Sequence, residues 1–190
     1  MTDQADQFEC TQIVLDHATE ETAVVSNLGV ASRILGGMDD RMRNFYMRGA
    51  MGCTTPTGFG LAVTADVPVT VLEGDGSLLM SLGCLSTVAT YDPSNLTIVV
   101  WNNETYATTG GQPSASETLD FADVAKGCGL KATHVSNTSD FEDAYVEALE
   151  HDGTALVACD VERATPERPR SHDHHTMALT QRFRRELGVE

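Results

Sequence analysis

Lysine is almost absent. The 190 residues include only Lys126 and Lys131, beside ten arginines and 28 acidic residues, for a formal charge of −16. Such a surface repels polyanions, which argues against nucleic acid and anionic membranes as partners. It also suits very high salt, where self-repulsion is screened, although an ordinary acidic enzyme would show the same composition. Long apolar runs are missing, and none approaches a membrane span. The polar, acidic start from Met1 to Glu9 has neither the basic end nor the apolar stretch of a secretion signal, so a cytoplasmic protein is expected. Paired cysteines are missing too. Cys10, Cys53, Cys84, Cys128 and Cys159 are odd in number and form no Cys-x-x-Cys, which fits reduced thiols in the core.

The chain does have 41% apolar residues, enough for one packed domain. They alternate between strand-like and helix-like segments. Strands are expected over 22–26, 67–72, 96–101, 131–135 and 154–161, with a shorter apolar run over 44–47. Pro68 belongs at a strand start. Helices are expected over 30–35, 53–64, 77–90, 120–128 and 139–150. Asp120 is the expected cap of the fourth, and a Ser139/Glu142 capping box is expected for the fifth. Residues 105–118, rich in Thr, Gly and Ser, read as a long loop. The pattern predicts an α/β fold: one doubly wound domain with a mostly parallel sheet and helices on both faces. That domain is placed over 1–165. Residues 166–190 form a tail with a short helix over 177–187; its His172, His174 and His175 fit a solvated patch better than a metal site. His134 and His151 read as surface residues.

Two motifs fall at the carboxyl ends of expected strands, where ligands of such sheets bind. The first is Gly74-Asp75-Gly76, followed by Ser77; the second is Asn102-Asn103. The glycines let the backbone turn sharply and come close to a ligand. The N–H groups of Gly76 and Ser77 favour an anion such as phosphate. Asp75 would repel that anion unless a cation stood between them. Magnesium fits, because it takes one or two carboxylates together with phosphate oxygens. Asn102 and Asn103 would supply neutral oxygen ligands, and a main-chain carbonyl in the following loop another.

Gly-Asp-Gly followed some two dozen residues later by Asn-Asn resembles the signature of the thiamine diphosphate enzymes, and specifically of their diphosphate-binding domain. The resemblance implies thiamine diphosphate and Mg2+ as cofactors, with the metal on Asp75, Asn103 and the main chain of Thr105. Gly76 and Ser77 would contact the diphosphate, Asn27 and Gly29 of the first strand-end loop would help to hold it, and Gly74 and Tyr106 would also bind the cofactor. Arg48-Gly49-Ala50-Met51-Gly52 resembles the family's Gly-Ser-(large apolar)-Gly turn, with Ala50 in place of the more usual serine. By that resemblance the Gly49 carbonyl accepts a bond from the 4′-amino group of the cofactor. Met51 is the wedge that bends the cofactor so that this group meets the thiazolium C2.

FYMRGAMG, EGDGSLLMSLGCLSTV and NLTIVVWNNETYATTGGQPS resemble in particular the sulfopyruvate decarboxylase β subunits and the related phosphonopyruvate decarboxylases. That implies a carbon–carbon lyase taking 3-sulfopyruvate to sulfoacetaldehyde and CO2, or phosphonopyruvate to phosphonoacetaldehyde. The substrate is a small anionic 2-oxo acid, with Arg48 and residues 108–112 available to its second anion. A subunit of a 2-oxo acid oxidoreductase and a non-catalytic cofactor-binding subunit are the other readings. The family also needs a pyrimidine-binding domain whose glutamate activates the cofactor. No candidate for that glutamate stands out here, since Glu73 sits on the wrong side of the turn. A separate α subunit in a hetero-oligomer is therefore expected.

Overall fold

The computed structural model describes residues 4–163 and 176–189. His172, His174 and His175 lie outside them. In chain order the elements are α1 (Gln7–His17), β1 (Ala23–Ser26), α2 (Val30–Met38), β2 (Asn44–Tyr46), α3 (Thr54–Ala62), β3 (Val69–Gly74), α4 (Asp75–Leu79), α5 (Cys84–Tyr91), β4 (Leu96–Asn102), β5 (Thr105–Tyr106), β6 (Gln112–Pro113), α6 (Phe121–Cys128), β7 (Lys131–Val135), α7 (Thr138–Leu149), β8 (Ala155–Asp160) and α8 (Thr176–Glu186).

Six of the strands form one parallel sheet in the order β2-β1-β3-β4-β8-β7. Every residue of β1 and β4 is buried, as expected for central strands covered on both faces. Successive side chains alternate between two cores. Val24, Leu72, Val99 and Val157 pack with α1, α2, α7 and α8. Val25, Val71, Val100 and Ala158 pack with α3, α4, α5 and α6. This is the doubly wound α/β architecture read from the sequence. Among the described residues, no helix is long and apolar enough to cross a membrane.

The strand order reverses between β1 and β3, so the loops that leave them diverge to opposite faces and open a crevice above the sheet. One close contact supports that crevice. A side chain at Gly58 of α3 would overlap Val71 of β3, so only glycine lets this helix lie so low on the sheet. The last described helix, α8, docks on β2 through Phe183, whose ring lies 5.2 Å from that of Phe45, and through Arg182, which donates to both oxygens of Asp40.

Several elements differ from the expectation. The helix over 77–90 is two helices, α4 and α5, parted at Met80–Gly83, where Met80 and Ser81 lie under Gly52. Helix α7 is capped by Asn137, whose Oδ1 accepts from Asp140 N–H, rather than by Ser139 with Glu142. Asp120 caps α6 as expected. The loop over 105–118 contains the two-residue hairpin β5–β6. Helix α1 is an addition. Its buried face carries Gln7 and Thr11 beside Cys10 and Val14, so it shows little apolar periodicity, and Asp6 caps it through Phe8 and Glu9 N–H groups.

Candidate cofactor site

A cleft opens at the β1/β3 reversal, over the carboxyl ends of β1, β3 and β4. Of the expected site residues, Asn27, Met51, Gly74, Asp75, Gly76, Ser77, Asn103, Thr105 and Tyr106 line it; Gly29 and Gly49 do not. Its cavity volume is about 120 Å³. Pockets that enclose a drug-sized ligand run from about 300 to 1,000 Å³, so this chain has room for one end of such a ligand.

The Gly-Asp-Gly turn ends β3 and starts α4. Asp75 is 4% exposed, and its Oδ2 accepts from Ser114 Oγ at 2.6 Å; Ser116 Oγ lies 3.0 Å from the same atom. Glu73, two residues earlier, is wholly buried on the far side of the turn. Its Oε2 accepts from the N–H and hydroxyl of Thr55, and its Oε1 from Gly74 N–H. Burial raises the pKa of Glu73, and its Ser77, Thr55 and Gly74 donors oppose that rise without cancelling it. Glu73 thus secures the turn from below and does not reach the cleft.

The glycines answer to contacts. A Cβ on Gly76 would overlap the ring of Tyr106, so glycine lets that ring close over the turn. A Cβ on Gly74 would stand 2.7 Å from Asn27 Nδ2. Gly29, at φ +82°, caps α2; a Cβ there would stand 2.6 Å from Thr108 Oγ1. Gly29 therefore brings the β1 and β4 loops together at the edge of the cleft, while its neighbours Leu28 and Val30 line it.

The two asparagines have separate duties. Asn102, the last residue of β4, is 9% exposed; it donates to Asp160 Oδ1 at 2.8 Å, and its Oδ1 lies 2.9 Å from Ser116 Oγ. Asn103 turns into the cleft and accepts from Thr105 N–H at 3.0 Å. Thr105 stands opposite Pro113 in the hairpin, and proline has no N–H to give to the Thr105 carbonyl.

Met51 is half-buried, belongs to neither core and lines the cleft. The turn that presents it is pinned by Gly52 N–H, which donates to Ser77 Oγ at 3.0 Å. Gly49, at φ +67°, is exposed, as is Arg48, and neither lines the cleft. Of the residues considered for a substrate's second anion, Thr108 and Thr109 line it; Arg48, Gly110, Gly111 and Gln112 do not.

Sequence reasoning missed several residues. Gln7 and Trp101 line the cleft, each 2% exposed, with Gln7 Oε1 and Trp101 Nε1 unpaired. Ser114 and Ser116 support Asp75 from about 40 positions away. His134 is exposed, as expected of a surface residue; what the sequence did not show is that it is held between Asp160 Oδ2 at 2.9 Å and Asp120 Oδ2 at 3.1 Å. Partial burial pulls the pKa of His134 down, but the two carboxylates outweigh it and the net shift is upward. No local motif announces these residues, because each depends on a contact distant in sequence. The described residues contain no group of three or more His, Cys, Asp or Glu side chains that could hold a metal ion. A cation here would rest on Asp75 and neutral oxygens.

Residues 30–159 match the family model described as thiamine pyrophosphate enzyme, C-terminal TPP binding domain. The chain is similar to the sulfopyruvate decarboxylase subunit beta of Methanocaldococcus jannaschii, with 37% identity over 76% of this chain and 77% of that one. It is also similar to the phosphonopyruvate decarboxylase of Streptomyces viridochromogenes, with 43% identity over 76% of this chain but only 36% of that longer protein. Among solved structures, the thiamine diphosphate-dependent 4-hydroxybenzoylformate decarboxylase of Rhodococcus jostii superposes with a TM-score of 0.76. There the identity is 23%, over 85% of this chain and 33% of that one.

Proposed function

We propose, from the premise that the chain belongs to the thiamine pyrophosphate enzymes as their C-terminal TPP-binding domain, that it is the diphosphate-holding subunit of a 2-oxo acid decarboxylase. The observation behind this is the convergence of Asp75, Asn103, the Gly76–Ser77 backbone and Met51 on one cleft at the sheet reversal.

The residues fit the cofactor. A cation bridging to a diphosphate needs a carboxylate and neutral oxygens, and Asp75, Asn103 and the Thr105 carbonyl provide that set. The N–H groups of Gly76 and Ser77 would bind diphosphate oxygens, with Tyr106 covering the turn and Asn27 beside Gly74. Ser77 would do so through its backbone, because its hydroxyl is committed to Gly52 and Glu73. When bound, thiamine diphosphate supplies the electron sink that lets a 2-oxo acid lose CO2. Met51 would press on the cofactor's middle from its pinned turn, and the Gly49 carbonyl would accept from the aminopyrimidine where the cleft meets a second chain.

That second chain completes the site. The cavity is too small for the whole cofactor, and Glu73 has both oxygens occupied beneath the turn. The similar protein of M. jannaschii is named a β subunit, which supports an α subunit here that carries the pyrimidine pocket and the activating glutamate. The same likeness favours 3-sulfopyruvate as substrate, giving sulfoacetaldehyde. The 43% identity to a phosphonopyruvate decarboxylase keeps phosphonopyruvate as the second reading. The test is to co-purify the chain with its second subunit and measure CO2 and aldehyde from both acids with Mg2+ and thiamine diphosphate. Turnover of 3-sulfopyruvate is expected only with both subunits. Turnover by this chain alone, or of neither acid by the pair, overturns the proposal.

A further inference from the structure

Only one oxygen of Asp75 is held. Ser114 Oγ donates to Oδ2 at 2.6 Å, and Ser116 Oγ lies 3.0 Å from the same atom. The two hydroxyls are 2.9 Å apart and both serines are buried. None of the described hydrogen bonds falls on Oδ1. Asn102, whose Nδ2 donates to Asp160, places its Oδ1 2.9 Å from Ser116 Oγ. The single Ser116 proton is therefore divided between Asp75 Oδ2 and Asn102 Oδ1, while the Ser114 proton lies on Asp75 Oδ2. Ala115, between the serines, sits at φ +66°. A non-glycine residue in that left-handed region costs about 1–2 kcal/mol and persists only where its surroundings impose it. Here that conformation accompanies two neighbouring hydroxyls converging on one carboxylate oxygen.

Closing one oxygen has a chemical consequence. Magnesium takes near-octahedral ligands at about 2.0–2.1 Å, whereas calcium accepts bidentate carboxylates at about 2.3–2.6 Å. A carboxylate whose Oδ2 is enclosed by two hydroxyls offers a cation Oδ1 alone. We infer that Ser114 and Ser116 are specificity-determining positioning residues: they restrict Asp75 to one-oxygen ligation and thereby favour magnesium over calcium. This rests on the proposal that a cation and thiamine diphosphate bind at Asp75.

The test is calorimetric titration of the full chain assembled with its second subunit, in the presence of thiamine diphosphate, with MgCl2 and separately with CaCl2. The proteins are the unaltered chain, S116A, S114A/S116A and S116T. Removing partners of a metal-binding carboxylate typically weakens affinity about 10- to 100-fold. The double variant should lose magnesium affinity in that range while its calcium affinity changes less than about threefold, because Oδ2 then becomes available to the larger ion. S116A should shift the ratio in the same direction by less, and S116T, which keeps the hydroxyl, should preserve it. Thermal midpoints of the cation-free proteins identify any variant that is not folded, and S116A then carries the comparison. Parallel losses for both ions, or an unchanged ratio in S116A, overturn the inference while leaving the cofactor site standing. If the unaltered chain, assembled with its second subunit, takes up neither ion with thiamine diphosphate, the cofactor proposal itself has failed.

Discussion

Two carboxylates flank Gly74, and the turn puts them to opposite uses. Glu73 is sealed beneath it, with both oxygens bonded to Thr55 and Gly74. Asp75 lines the cleft above, with one oxygen held by serines and the other carrying no described bond. Burial alone does not distinguish them, since both are nearly or wholly inaccessible. The distribution of donors does. A carboxylate with every oxygen occupied is part of the frame, whereas one with an oxygen in reserve beside a cavity is poised for a ligand.

The sharpest way to break this comparison is Asp75→Ala. Magnesium-dependent binding of thiamine diphosphate should be lost altogether by calorimetry. The thermal midpoint of the free chain should hardly move, since Ser114 and Ser116 keep each other and Asn102 as partners. Retained cofactor affinity would remove Asp75 from the site. Glu73→Ala should do the reverse, leaving the Thr55 and Gly74 donors buried and unpaired. At about 1–3 kcal/mol for each such group, the loss should reach about 3–5 kcal/mol, read by denaturant unfolding. A variant of normal stability would mean that Glu73 is not the brace described here.

Met51→Ala sharpens the contrast between cleft and core. A buried core methionine costs about 2–5 kcal/mol when cut to alanine. Met51, half-buried and outside both cores, should cost the free chain little, while turnover of the assembled enzyme falls about a hundredfold through misplacement on the order of 1 Å. Met51→Leu should restore most of it. A large fall in melting temperature, with activity tracking the folded fraction, would return Met51 to the frame.

The smallest effect belongs to His134, between Asp120 and Asp160. Its folded pKa is raised, so its contribution to stability is full below the ordinary histidine value of about 6.5 and is lost as pH rises through the folded value. Asp120, whose pKa is lowered by its backbone and His134 bonds against a burial that raises it, stays ionised across that window. The melting temperature should therefore decline slightly from about pH 6 to 8, and His134→Asn should flatten the decline. An identical slope in the variant would show that the ion pairs contribute nothing measurable.

The sheet and the heart of the cleft were legible because their signals are local. The run over 96–101, apolar but for Thr97, is short and rich in β-branched residues, as a covered central strand is, and Gly-Asp-Gly and Asn-Asn mark strand ends by their own turn chemistry. Helix α1 was not legible, because Gln7 and Thr11 interrupt its buried face. The break at Met80–Gly83 was hidden because Leu78, Leu79, Leu82 and Leu85 keep helical spacing through it, while its close partner is the distant Gly52. Asn137 won the α7 cap from Ser139, two equally suitable residues that only the backbone path separates. The serines beneath Asp75 are ordinary loop residues until the fold brings them there.

Strand β8 is the last of the described strands to be made and yet lies between β4 and β7 in the sheet. Asn102 pairs with Asp160 at its end, and through Ser116 that pairing supports Asp75. During synthesis, at about 5–20 residues per second, the segments that form the cleft leave the ribosome well before β8. They wait as an incomplete sheet with an open slot beside β4, a site for wrong pairing with any other free strand. Insertion of β8 closes the slot and braces Asp75 in the same event. A nascent or truncated chain ending before residue 155 should therefore be prone to aggregation and unable to retain the cofactor.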